Sequence, residues 1–213
     1  MLTVKPGEKA VTADVLLQPA TGFALKFQDA DGKPVPETFI AGNTSEDWLR
    51  PVSNSTDAGT VYDLDTHHPR LVVVYQPRRQ LVATVTLKGD EKAPLAVTLL
   101  PAGSAKSKLV DAEGKPLANA AVRIGYSDRP ADEIQQIVAG GWYESGQEVT
   151  TNAAGEFVVG QLIPGRKFIV TASAKGKDYE PPEVAPNKGY TVESGKTADL
   201  GTIRLRGGEL TPE

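Results

Sequence analysis

Cysteine is absent from this chain of 213 residues, methionine occurs once, and the only two histidines are His67 and His68. Without thiols there is no disulfide, no thiolate nucleophile and no cysteine-held zinc or iron–sulfur centre. Aromatic residues make up only 6% of the chain. No apolar run reaches the ~20 residues that a membrane-crossing helix needs, so bilayer insertion by this stretch is not expected. A strong charge of one sign is missing too. The formal net charge of -4 offers no basic field to neutralise phosphates, and nucleic acid is not an expected partner. Residues 1–9 lack the apolar centre of a signal peptide, so any export signal is expected upstream of them or not at all. The chain contains no Gly-x-x-x-x-Gly-Lys, Gly-x-Gly-x-x-Gly, His-Glu-x-x-His or Gly-x-Ser-x-Gly. Phosphate cradle, dinucleotide fold, zincin and hydrolase elbow therefore all lack support; no enzyme, catalytic residue or cofactor is expected.

Turn-formers, by contrast, are abundant, with 21 glycines and 16 prolines, so chain reversals are frequent and long helices scarce. The 39% apolar and 23% charged content is that of a globular protein, and the length leaves room for two cores. The order within the sequence is a repeat. Asp29-Ala30-Asp31-Gly32-Lys33-Pro34-Val35 returns as Asp111-Ala112-Glu113-Gly114-Lys115-Pro116-Leu117 at a spacing of 82, and Leu17-Gln18-Pro19-Ala20 returns as Leu99-Leu100-Pro101-Ala102 at the same spacing. Downstream, Gly59 aligns with Gly155 and Leu71-Val72-Val73-Val74 with Lys167-Phe168-Ile169-Val170 at a spacing of 96, while 95–99 matches 201–205 at 106. The repeat divides the chain into two units, 20–101 and 102–213, the second enlarged by an insertion at 126–147. Residues 1–19 resemble the end of a unit. They are expected to be the closing strand of a preceding unit or an extra strand of the first.

Short runs such as Val97-Thr98-Leu99, Val122-Arg123-Ile124, Phe157-Val158-Val159 and Phe168-Ile169-Val170 are rich in β-branched and aromatic residues and bounded by turn residues. They read as strands of sandwiches. In the repeated turn, Asp at the first position and Gly at the fourth suit a type I turn with a left-handed closing glycine. Pro34 and Pro116 then confine the next strand to a ladder end or an edge. Ile163-Pro164-Gly165-Arg166 reads as a type II turn closing a hairpin. One helix is expected inside the insertion, capped by Asp128, with Ile134, Ile137 and Val138 as its apolar stripe and Gly140-Gly141 as its stop. The fold class is all-β, two tandem prealbumin-like or Ig-like sandwiches with one short inserted helix.

Three stretches of the second unit carry a family resemblance: 109–122, 151–157 and 162–172. Leu109-Val110-Asp111-Ala112-Glu113-Gly114-Lys115-Pro116, Thr151-Asn152-Ala153-Ala154-Gly155-Glu156-Phe157 and Leu162-Ile163-Pro164-Gly165-Arg166 together resemble the carboxypeptidase regulatory-like domain, a prealbumin-like β-sandwich. The first unit matches less closely, with Pro36-Glu37-Thr38 in place of small residues and 65–70 in place of the Pro-Gly turn. The resemblance implies a non-catalytic accessory module attached to other domains of a parent protein, and an extracytoplasmic setting in the periplasm or at the cell surface. In the related Cna-B fold of surface adhesins a Lys two residues before the turn Asp forms an isopeptide. Phe27 and Leu109 stand there, and no cross-link is expected.

Two clusters are candidate sites. Trp48 and Trp142 fall in the same variable loop of their units, and Trp142 and Tyr143, with Tyr126 across the insertion, form a candidate aromatic platform for a sugar ring or a peptide side chain. Capping of the sandwich ends is the alternative for these rings. Asp63, Asp65, His67 and His68 make an Asp-x-Asp-x-His-His loop with metal-ligand chemistry, set against a plain polar turn ended by Pro69. Arg78, Arg79 and Lys88 read as edge-strand charges that discourage sheet-to-sheet pairing. The expected function is a spacer or docking element of a larger exported or envelope-associated protein, with polysaccharide or protein recognition by the Trp48 and Trp142 loops as its alternative. Pro101-Ala102-Gly103 is too short a connection to let the units tumble, so a semi-rigid rod is expected.

Overall fold

A computed structural model describes residues 21–44, 51–127, 134, 149–181 and 189–208. The succession of short strands expected from the sequence is present, arranged as two pairs of sheets. The first pair is built from β1 (Gly22–Gln28), β2 (Thr38–Ala41), β3 (Val52–Asn54), β4 (Ala58–Tyr62), β5 (Arg70–Gln76), β6 (Leu81–Leu87), β7 (Leu95–Thr98) and β8 (Leu100–Pro101). The order is β4-β1-β7 in a three-stranded sheet and β3-β2-β5-β6-β8 in a five-stranded one. The second pair is built from β9 (Gly103–Val110), β10 (Ala121–Tyr126), β11 (Val149–Thr150), β12 (Glu156–Leu162), β13 (Phe168–Ala174), β14 (Lys177–Glu180), β15 (Thr197–Arg204) and β16 (Arg206–Gly208). Its sheets run β12-β9-β15 and β11-β10-β13-β14-β16. Strand for strand this is the first topology again, so the repeat in the sequence is a repeat of fold.

The turn chemistry explains why. Asp29 Oδ1 accepts the N–H groups of Asp31 and Lys33 at 3.1 and 3.0 Å, and Asp111 Oδ1 accepts those of Glu113 and Lys115 at 3.1 and 2.8 Å. A short aspartate satisfies two backbone donors of its own turn, and the closing Gly32 and Gly114 take φ of 75° and 85°, where a Cβ is penalised. Asn152 builds the same device a third time, accepting from Ala154 and Glu156 at 2.9 Å each. Pro34 and Pro116 each sit in an isolated bridge, opposite Gln28 and Val110, as a residue without an N–H must at the end of a ladder.

Alternation along the strands supplies the cores. Leu25 and Phe27 of β1, Ile40 of β2, Val61 of β4, Val72 and Val74 of β5 and Val97 of β7 meet between the first two sheets in one buried cluster. In the second pair Ala105, Leu109, Phe157, Val159, Val122, Phe168, Val170 and Ile203 do the same. Pairing also resets the repeat. Leu25 lies opposite Gly59 and Ser107 opposite Phe157, so Gly59 corresponds to Phe157 and not to Gly155. A Cβ on Gly59 would strike Ile40 and come within 2.9 Å of the Phe27 ring. Each core thus holds one ring at this level, given by β1 in the first unit (Phe27 beside Gly59) and by β12 in the second (Phe157 beside Leu109).

Two expectations need correction. The turn at 163–166 forms, with Arg166 N–H bonded to the Ile163 carbonyl, but β12 and β13 belong to different sheets. It is an arch across the sandwich, not a hairpin. Arg78 and Arg79 are not spare edge charges; they pair with Glu37 at 3.1 Å and Asp29 at 2.6 Å. The expected helix lies outside the described residues except for Ile134, which is helical and buried.

Candidate functional site

Trp48, Trp142 and Tyr143 lie outside the described residues. Tyr126 does not: it ends β10 on the core side, 8% exposed, with its ring 6.0 Å from that of Phe168 and its hydroxyl accepting the Ile163 N–H at 3.0 Å. A phenol is the economical choice there, because its apolar body fills the core while its oxygen satisfies a buried backbone donor at the arch. This placement removes Tyr126 from the expected platform; the ring is packed inside the sandwich.

The Asp-His loop is a tight turn between β4 and β5. Asp63 takes a φ of 54°. Asp65 spends one carboxylate oxygen on the His67 N–H at 2.8 Å and the other on His68 Nδ1 at 2.6 Å, and His68 N–H closes back to the Asp65 carbonyl. The His68 bond, then the His67 N–H, hold the Asp65 carboxyl below the ordinary carboxylate range. Arg70 fastens the loop to the sheet by donating to the Tyr62 and Asp63 carbonyls. Among the described residues no three metal-ligating side chains are gathered in one place, so Asp63, Asp65, His67 and His68 are not brought together as a ligand set. Local turn geometry accounts for the Asp65 carboxylate and the His68 ring.

The connection between the two sheet pairs is closely constrained. Only Ala102 separates β8 from β9. On one side Pro101 is paired with Leu81 in the first five-stranded sheet, and Ala102 donates its N–H to the Gln80 carbonyl at 2.8 Å. On the other side the Pro101 carbonyl accepts from Ser194 Oγ at 2.8 Å and Gly195 N–H at 3.2 Å. Gly195 also reaches the Ala102 carbonyl, and Ser104 N–H bonds to the Lys196 carbonyl. Pro101 is therefore held by both units at once. Gly103 has no room for a side chain, since a Cβ would press on Val192 and stand 2.9 Å from the Glu193 carbonyl. The turn that provides Ser194 and Gly195 is tied by a Lys196–Glu193 ion pair of 2.6 Å.

The hairpin that offers Gln80 is itself braced. Arg79 N–H donates to Gln76 Oε1 at 2.6 Å, Gln80 N–H reaches the Pro77 carbonyl, and Gln80 sits at a φ of 51°. The Arg79 guanidinium bonds Asp29 Oδ2 at 2.6 Å. That contact first, then the Lys33 and Asp31 N–H groups, hold the Asp29 carboxyl below its usual range. The sequence marks the short connection but not Gln80, Ser194 or Gly195 as its partners. The one signal for Gln80 is hairpin length, four residues between β5 and β6 against two between β13 and β14.

No protein-family model matches the chain, and no curated protein matches it either. Among solved structures it is similar to the Bacillus anthracis TIE protein, at 12% identity and a TM-score of 0.31, over 88% of this chain and 34% of that one. It therefore spans about a third of the length of that protein. It is also similar to the shaft pilin SpaA from Lactobacillus rhamnosus GG, at 14% identity and a TM-score of 0.30, over 91% of this chain and 100% of that one. A Streptococcal ancillary pilin matches at 13% identity and a TM-score of 0.35, over 89% of this chain and 62% of its own. At identities and scores this low, what the chain does has to be reasoned from its own geometry.

Proposed function

We propose that this chain is a non-catalytic structural module, a spacer made of two sandwiches at 20–101 and 102–213 that keeps its neighbours in a larger protein at a set distance and angle. The observation that supports this reading above all is Pro101, strand-paired to Leu81 on one side and hydrogen-bonded through its carbonyl to Ser194 and Gly195 on the other. A linker meant to let two units move independently exposes its backbone to water and leaves it unpaired. Here consecutive backbone groups are claimed by one unit or the other. The carboxylates of Asp29, Asp65, Asp111 and Glu193 are occupied with turns and ion pairs, which fits a body that holds shape. The carboxypeptidase regulatory-like family is our proposed kinship, on the repeated turn motifs, and an exported or envelope-associated parent is the setting that kinship implies. No described helix is long and apolar enough to cross a membrane.

Residual dipolar couplings from amides in both units test the spacer. One alignment tensor is expected to fit both sandwiches; two tensors of different magnitude would overturn the reading. Recognition of polysaccharide or peptide by the Trp48 and Trp142 loops is the competing proposal. Calorimetry against polysaccharides decides it: heat of binding that vanishes in Trp48→Ala or Trp142→Ala would put recognition in place of spacing.

A further inference from the structure

The two units differ where the fifth strand turns into the sixth. In the second unit β13 passes to β14 through only Lys175 and Gly176, and Asp111, the counterpart of Asp29, makes no ion pair among the described residues. In the first unit the hairpin is two residues longer, carries Arg78 and Arg79, and is tied to the Asp29 turn on one side and to Ala102 on the other. The added length touches the linker.

We propose that the hairpin at 77–80 is an orienting strut, in which the Arg79–Asp29 pair holds the Gln80 carbonyl where it captures Ala102 and so sets the angle between the two sandwiches. This rests on the spacer reading. Three contacts act in series. Asp29 is fixed by its own turn, since Oδ1 is engaged by Asp31 and Lys33 while Oδ2 is left for Arg79. Its side chain is 10% exposed and that of Arg79 46%, so the pair is partly shielded, more than the Arg78–Glu37 pair beside it, whose side chains are 78% and 52% exposed. Charge-assisted bonds gain strength with such shielding and exposed ones contribute little. Gln80 follows Arg79 directly, at a φ of 51° that is uncommon for a non-glycine residue, with its N–H on the Pro77 carbonyl. Gln80 finally holds Ala102, the single residue between β8 and β9. The chain's lack of cysteine makes the strut easy to interrogate, because any introduced thiol is unique.

The test is a distance distribution by double electron–electron resonance, with spin labels at Lys26→Cys on the first unit and Val158→Cys on the second, both exposed. The unaltered hairpin is expected to give one narrow distribution. Arg79→Ala is expected to raise the population of other orientations about tenfold, with the amide spectrum of each sandwich preserved, and Arg78→Ala to leave the distribution as it was. Should Arg79→Ala misfold, replacing residues 77–80 by Lys-Gly, the loop of the second unit, serves as the second variant with the same expected broadening. A narrow distribution that survives the variant overturns the strut and leaves the spacer intact. A distribution already broad with the native hairpin overturns both.

Discussion

The outer faces of the two five-stranded sheets occupy the same place in the same topology and have opposite characters. In the first unit Phe39, Ala41, Val73, Tyr75 and Val82 point away from their own core and are nonetheless buried, in the same cluster of side chains as the core of the second unit. Strand pairing puts Ala121, Arg123, Thr171, Ser173 and Asp178 at the matching positions of the second. There Arg123 and Asp178 pair across an open face at 3.6 Å, and Ile169 is 45% exposed. One sheet is thus covered on both sides and the other on one. The fold tolerates either, because inner-face alternation alone builds the sandwich. The outer face is left free to serve assembly.

A charge placed at equivalent positions breaks or confirms this contrast most sharply. Val73→Asp is expected to cost about 3–5 kcal/mol, the penalty of an unpaired buried carboxylate, while Thr171→Asp stays within about 0.5 kcal/mol. Urea denaturation of both variants reads the difference, and equal losses would mean that the first face is not sealed. Next in size is the core exchange between Phe27 with Gly59 and Leu109 with Phe157. Gly59→Ala is expected to lose about 1–3 kcal/mol through overpacking against Phe27 and Ile40, and much of that loss is expected to return when Phe27→Leu is added. Additive effects in this double-mutant cycle would show that the ring and the missing Cβ do not compete for one space.

Smaller still is the contrast between the two turn aspartates. Asp29 has its folded pKa depressed by Arg79, so its contribution is present above the ordinary carboxylate pKa of 3.8 and is lost as the pH falls through the folded value. Carboxyl carbon shifts followed by NMR should place the Asp29 midpoint below 3.8, and Arg79→Ala should move it upward. A midpoint unmoved by that change would separate Arg79 from Asp29. The smallest effect is expected at Tyr75, whose fully buried hydroxyl has no hydrogen-bond partner among the described residues and whose pKa burial pushes up. Tyr75→Phe removes an uncompensated polar group, so stability is expected to stay level or rise by up to about 1 kcal/mol. A thermal melt suffices, and a clear loss would reveal a partner for that oxygen.

Much of this was legible in the chain itself where the cause is local. The Asp-x-x-Gly turns, the ladder-ending prolines and the strand runs arise from bonds within a few residues. The double burial of β5 also has a trace, since Leu71-Val72-Val73-Val74-Tyr75 contains no polar alternation, the mark of a strand covered on both faces. Matching Gly59 to Gly155 by identity misled, because a glycine in a turn and a glycine in a core look alike until a partner strand is known. Tyr126 misled for a similar reason: an aromatic beside an insertion reads as surface, and only the Ile163 N–H beneath it accounts for the hydroxyl.

Sequence alone therefore determined the all-β class, the duplicated unit and the chemistry of its turns, since each depends on short-range hydrogen bonding and side-chain alternation. The tertiary structure decided which ring fills each core, which sheet is sealed on its outer face, and that Gln80, Ser194 and Gly195 meet at Pro101 and Ala102. Those outcomes join residues as far apart in the chain as Ser194 and Pro101, and no local rule relates groups that only the packing of whole sheets brings within hydrogen-bond reach.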